Sequence, residues 1–185
     1  MKLKTLAHNV LNFVVNRVIE IAGVAILIAG LLLLTSLITF SPDDPNFIFP
    51  DNTEIKNILG FYGSFTADIF FQSFGVIALL IPFSLVLSAI NILINKKIFL
   101  IIRSIFYTIL YSLLGSLFFS FFYPITFKLY INGNGGFVGT YLETTFLNSI
   151  IILNSQISYY AIILLILILF LISIQFKINS FYKII

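Results

Sequence analysis

The sequence predicts an all-α integral membrane protein: four transmembrane helices, an N-terminal interfacial helix, and a short amphipathic helix at the outer interface before the last span. Composition is the first observation, because 60% apolar and 9% charged residues in 185 leave too little charge to solvate a globular surface. The mean hydropathy of +1.12 agrees. The second observation is four charge-poor apolar runs of spanning length, and the third is basic residues gathered at the ends of those runs. The net charge of +3 therefore fits membrane topology rather than a nucleic-acid surface. Cysteine is absent, which excludes disulfides, thiol nucleophiles and thiolate metal sites.

Residues 1–18 form a predicted cytoplasmic interfacial helix. Leu3, Leu6, Val10, Phe13 and Val14 recur at helical spacing, with Thr5, His8, Asn9, Asn12 and Asn16 on the other face and Lys2, Lys4 and Arg17 suited to anionic headgroups. His8 is the single histidine, and with no second His or Cys to converge on it a metal site is not expected. Residues 19–185 form the membrane domain, with spans predicted at 21–40, 66–94, 104–123 and 157–176. The first run is too long for a signal-peptide core and reads as an uncleaved anchor, and its Ala22, Gly23, Ala25, Ala29 and Gly30 permit close helix contact.

Pro42 and Pro45 stop the first helix, and Asp43 and Asp44 are suited to bonding nearby backbone amides in the exit turn. Adjacent carboxylates also suit a cation site or an acid/base pair, although no third ligand or nucleophile accompanies them. Asp68 and Gln72, four apart, share a face at the entrance to the second span. An ionisable group in apolar sequence marks a functional site, whereas a carboxylate in a first helical turn is favoured by the helix dipole. Pro82 predicts a kink within this run. Asn95, Lys96, Lys97 and Arg103 then form a short basic loop on the cytoplasmic side.

In the third span, Ser104, Thr108, Ser112, Ser116 and Ser120 recur every four residues and make a slowly turning stripe. Small hydroxyl residues in such a stripe provide a helix-packing face; a polar permeation path is the alternative. Asn132 to Gly136 is a loop, and no Gly-x-x-x-x-Gly-Lys-Ser/Thr nucleotide motif occurs in the chain. A single amphipathic helix is expected over 137–153, followed by the last span with Lys177 and Lys183 beyond it. An even number of spans puts both termini and the 95–103 loop on one side, with eight of the ten basic residues: Lys2, Lys4, Arg17, Lys96, Lys97, Arg103, Lys177 and Lys183. Both termini are accordingly expected in the cytoplasm.

One stretch carries a resemblance. The run Phe40-Ser41-Pro42-Asp43-Asp44-Pro45-Asn46-Phe47 is followed by Asn57-Ile58-Leu59-Gly60, Gly63 to Asp68, and Phe71-Gln72-Ser73-Phe74-Gly75 up to Pro82. Together with the later Gly135-Gly136-Phe137-Val138-Gly139, it resembles the N-terminal four-span domain of FtsK/SpoIIIE-type DNA translocases. Phe47 stands where many members carry Trp, and the family's linker and ATP-driven motor are missing from these residues. The resemblance implies a non-enzymatic anchor in the bacterial inner membrane at the division septum, contacting lipid and other division proteins. It implies homo-oligomers, hexameric through the full-length protein, that couple chromosome segregation to division. It places ATP, magnesium and DNA contact in the motor, leaving no cofactor for this chain. It also makes Pro42, Asp43, Asp44, Pro45, Gly60, Gly63, Asp68, Gln72, Gly75, Pro82, Gly135, Gly136 and Gly139 the family signature and candidate partner contacts. A small transporter or channel subunit using the hydroxyl stripe and Asp68 is the competing reading. An intramembrane enzyme is disfavoured, because no nucleophile with an adjacent base is found.

Overall fold

The computed structural model describes residues 2–45, 54–124 and 132–175. The positions Asn46, Phe47, Lys177 and Lys183 singled out above lie outside them.

Helix α1 runs Lys2–Ile38 without a break. The interfacial helix and the first span, expected as two elements, are therefore one rod of 37 residues, about 55 Å long. No proline or glycine interrupts residues 2–22, so nothing in the sequence ends the helix at 18. The rod exceeds a hydrocarbon core of about 30 Å, so part of it extends beyond.

The second span is composite: α2 (Gly60–Phe74), a 3₁₀ segment (Gly75–Leu79) and α3 (Leu80–Asn95). The irregularity predicted at Pro82 instead sits at Gly75, whose φ of 68° a side chain would resist. Pro82 occupies the first turn of α3, where its missing N–H is of no consequence. Lys96, in a left-handed conformation, caps α3 with its amide on the Ile92 carbonyl at 2.8 Å. The basic loop is correspondingly short, since α4 (Ile98–Phe122) already includes Arg103.

Two short helices, α5 (Gly136–Glu143) and α6 (Phe146–Leu153), replace the single amphipathic helix expected before the last span. They meet at 76°. Thr145 makes the corner, its hydroxyl accepting the Leu147 amide as an N-cap. Asn154 likewise caps α7 (Ser155–Ser173) through the Ile157 amide.

Among the described residues, four segments are long and apolar enough to cross a membrane, and they come from α1, α2 through α3, α4 and α7. They stand in a row in which α1 packs on α3, α3 on α4 and α4 on α7, with a smaller direct contact of α3 on α7. Gly30 lets α1 approach closely, since a Cβ there would lie 3.0 Å from Leu85 and Val86 side-chain carbons. One core gathers Leu33, Leu37, Ala67, Phe71, Ala78 and Ile81, and a second Ile77, Tyr111 and Leu169. At the basic end of the row, Glu20 pairs with both Arg17 and Lys96, and Gln175 donates to the Leu100 carbonyl at 2.8 Å. At the opposite, acidic end lie Asp43, Asp44, Glu54 and Glu143.

Candidate functional site: two joints of signature residues

Most of the signature residues meet in two joints at or near the acidic end. The first closes the connection between α1 and α2. Asp44 is 1% exposed, and its two carboxylate oxygens accept the backbone amides of Lys56 at 2.8 Å and Asn57 at 2.9 Å. The amides lie 12 and 13 residues away, so this aspartate straps the loop shut rather than capping its own turn. Asn57, also buried, donates from Nδ2 to the Ser36 carbonyl at 2.9 Å, fixing the loop to the last turn of α1. Ser36 Oγ in turn donates to the Gly63 carbonyl, and Ser64 Oγ to the Pro45 carbonyl at 3.1 Å. A side chain at Gly63 would strike the Asn57 carboxamide.

Asp43 behaves differently. It is exposed and pairs with Lys56 Nζ at 2.9 Å, which holds the lysine above its ordinary pKa. The adjacent carboxylates thus do separate jobs, and among the described residues no three His, Asp or Glu side chains gather as metal ligands. Pro42 is exposed in the turn, while Gly60 starts α2 with φ 64° and open space around its Cα.

The second joint locks the glycine-rich element into the break of the second span. Ending α2 at Gly75 frees a donor and an acceptor deep among apolar helices, where each needs a partner. The Val76 amide donates to the Asn134 carbonyl at 2.9 Å, and Ser116 Oγ of α4 donates to the Phe74 carbonyl at 3.0 Å. Contact is backbone to backbone. A Cβ on Gly75 would overlap the Asn134 carbonyl, and one on Gly136 would stand 2.6 Å from Gly75 N and Ser73 O. Gly135 and Gly139 lie on the Ser116 carbonyl in the same way.

Asp68 and Gln72 belong to this joint. Asp68 is 6% exposed and two turns inside α2, because the helix starts at Gly60 rather than near residue 66. A first-turn dipole therefore does not account for its carboxylate. Gln72 Nε2 donates to it at 3.4 Å. Gln72 also accepts the Asn132 amide on Oε1 and the Asn132 Nδ2 on its main-chain carbonyl, both at 3.3 Å.

The stripe of Ser104, Thr108, Ser112, Ser116 and Ser120 is buried throughout. Ser116 and Ser120 bond to neighbouring elements, at Phe74 and Glu143, while Ser112 donates to its own helix at the Thr108 carbonyl. Ser116 and Ser120 thus join α4 to the second span and to α5. One polar cluster was not foreseen from sequence: Ser84 lies 2.9 Å from both Tyr111 Oη and Ser173 Oγ, joining α3, α4 and α7. Ser173 donates onward to the Phe170 carbonyl, so a consistent order of donors is Tyr111, Ser84, Ser173. No spacing in the sequence singles these three out from the other hydroxyl residues of their spans.

Four apolar spans tied by interhelical polar contacts and backbone joints define a helical membrane domain. Residues 15–185 match the family model described as the 4TM region of DNA translocase FtsK/SpoIIIE, and the chain belongs to that family. This region is the membrane part of such translocases, not the catalytic motor. Relatives named DNA translocase FtsK occur in Rickettsia bellii (strain RML369-C), 35% identical over 65 residues, and in Rhizobium meliloti (strain 1021), 38% over 72. A third, from Azospirillum brasilense, is 38% identical over 71 residues. These alignments cover 35%, 37% and 37% of the chain but only 9%, 8% and 11% of the relatives, which are far longer. No solved structure matches.

Proposed function

We propose that this membrane domain anchors a cell-division DNA translocase at the septum of a bacterial inner membrane, where it oligomerises and contacts other division proteins. The observation that carries this reading is the convergence of the family signature on two rigid joints, which hold the acidic end in one shape for partners outside the membrane. Both termini lie in the cytoplasm in this reading, since Arg17, Lys96, Lys97 and Arg103 mark the basic end. ATP, magnesium and DNA are handled by a motor domain, and the membrane domain binds none of them. A hexamer forms through the full-length protein.

The test is a fluorescent fusion of residues 1–185 in dividing cells whose own translocase lacks its membrane domain. A band at midcell is expected, and uniform membrane fluorescence at wild-type expression overturns the targeting role. Orientation is read separately by reporter insertions at Asn95 and Asn134. A cytoplasmic signal at Asn134 overturns the topology.

A further inference from the structure

We propose that the face of α4 around Arg103 binds an anionic phospholipid. A groove of about 410 Å³ opens there, lined by Phe99, Ile102, Arg103, Phe106 and Tyr107. Three of these, Phe99, Ile102 and Phe106, are more than half exposed, so the groove faces the surroundings of the row rather than another helix. Arg103 is half-buried in it, six residues past Lys97 and about 9 Å further along the α4 axis. Among the described residues it has no ion-pair partner, and the carboxylates account for themselves. Glu20, the one acid among the described residues of this end, is held by Arg17 and Lys96, whereas Asp43, Asp44, Glu54, Asp68 and Glu143 belong to the other half of the molecule.

A guanidinium set among apolar side chains on a spanning helix needs a counter-charge, and a lipid phosphate supplies one, with two oxygens for arginine's planar, two-point donation. The aromatic and aliphatic walls then receive the upper part of an acyl chain. Basic pockets of this kind at the cytoplasmic ends of spans suit anionic headgroups, with about 1 kcal/mol per basic residue near the surface. The assignment to the cytoplasmic leaflet rests on the orientation proposed above; binding itself does not.

The test uses the purified full chain in mild detergent with phosphatidylglycerol or phosphatidylcholine added, read by native mass spectrometry. Retention of phosphatidylglycerol should exceed that of phosphatidylcholine at least about fivefold, the factor one basic side chain provides. Arg103→Gln should abolish the preference, Arg103→Lys should keep most of it, and the remote Lys56→Gln should leave it intact. Equal retention of the two lipids by the wild type overturns the proposal, as does undiminished preference in Arg103→Gln. Displacement of the lipid by millimolar inorganic phosphate would assign the site to a free anion and overturn it too. Should Arg103→Gln fail to fold, Phe106→Trp supplies a single fluorophore in a chain without tryptophan. Brominated phosphatidylglycerol should quench it more than brominated phosphatidylcholine, and equal quenching overturns the proposal. Because the readout is made in detergent, its failure leaves septal targeting and orientation untouched.

Discussion

The amide of Val76 donates to the main-chain carbonyl of Asn134 at 2.9 Å, one residue beyond the glycine that ends α2. A loop 58 residues further along the chain thereby completes the hydrogen bonding of a broken membrane span. The carbonyl on the other side of the break, at Phe74, is taken by Ser116 of the third span. Three features that look separate in the sequence, a glycine in an apolar run, a serine stripe and a glycine-rich loop, are parts of one junction.

Gly75 and Gly60 share a positive φ, 68° and 64°, but only Gly75 is enclosed by another chain segment. Gly60→Ala should cost about 1 kcal/mol, the strain of a left-handed alanine. Gly75→Ala adds a collision with the Asn134 backbone and should cost about 3 kcal/mol or more. Thermal unfolding followed by circular dichroism in detergent compares the two. Equal midpoints would refute the packed junction.

Asp44 and Asp43 are neighbours with unequal roles. Asp44→Ala removes the acceptor for two buried amides and should destabilise by about 3 kcal/mol, in the range for hydrogen bonds to charged groups. Asp43→Ala touches an exposed pair and should leave unfolding nearly unchanged. Limited proteolysis within 39–59 should follow the same order, with Asp44→Ala cut fastest.

The Lys56 amine, held above its ordinary pKa of 10.5 by the Asp43 carboxylate, gives the pair a defined pH signature. Its contribution is complete below the ordinary lysine value and disappears as pH rises through the raised, folded-state value. Stability measured between pH 9 and 12 should therefore show a small loss that Asp43→Asn removes. A loss of the same size in Asp43→Asn would assign the titration to another group.

Tyr111 is fully buried and hydrogen-bonded to Ser84 between the third and second spans. A double-mutant cycle of Tyr111→Phe and Ser84→Ala should return a coupling of about 0.6 kcal/mol, rising to at most about 1.7, as for other polar contacts within membranes. A coupling of zero would mean that the two hydroxyls do not bond in solution.

The four spans were legible because each is an apolar run of membrane length, and a run of that length leaves few alternatives. What escaped the sequence was where helices end. Pro82 signals a kink in any apolar run, yet a proline in a first turn is harmless, and the turn was displaced by a glycine whose φ only the three-dimensional contact reveals. A span starting at residue 66, after the proline- and acid-rich loop, puts Asp68 in a first turn, whereas α2 starts at Gly60 and puts it in the third. Asp44 was read as capping its own turn, since a partner 12 residues away has no local periodicity to announce it. The helix starting at Lys2 passes through residue 18 for the opposite reason: a change from amphipathic to uniformly apolar sequence alters the surroundings of a helix without ending it.

The five residues from Gly75 to Leu79 also set an angle. A 3₁₀ turn advances about 120° and 2.0 Å per residue where an α-helix advances about 100° and 1.5 Å. Over this segment the chain gains about 100° of rotation and about 2.5 Å of length. The segment is a phase shifter between α2, whose main partners are α1 and α5, and α3, whose main partners are α1 and α4. Removing one residue from it would swing Ser84 away from Tyr111 while leaving Asp68 and Gln72 in place, so the register of α3 against α4 is decided in the five residues before it.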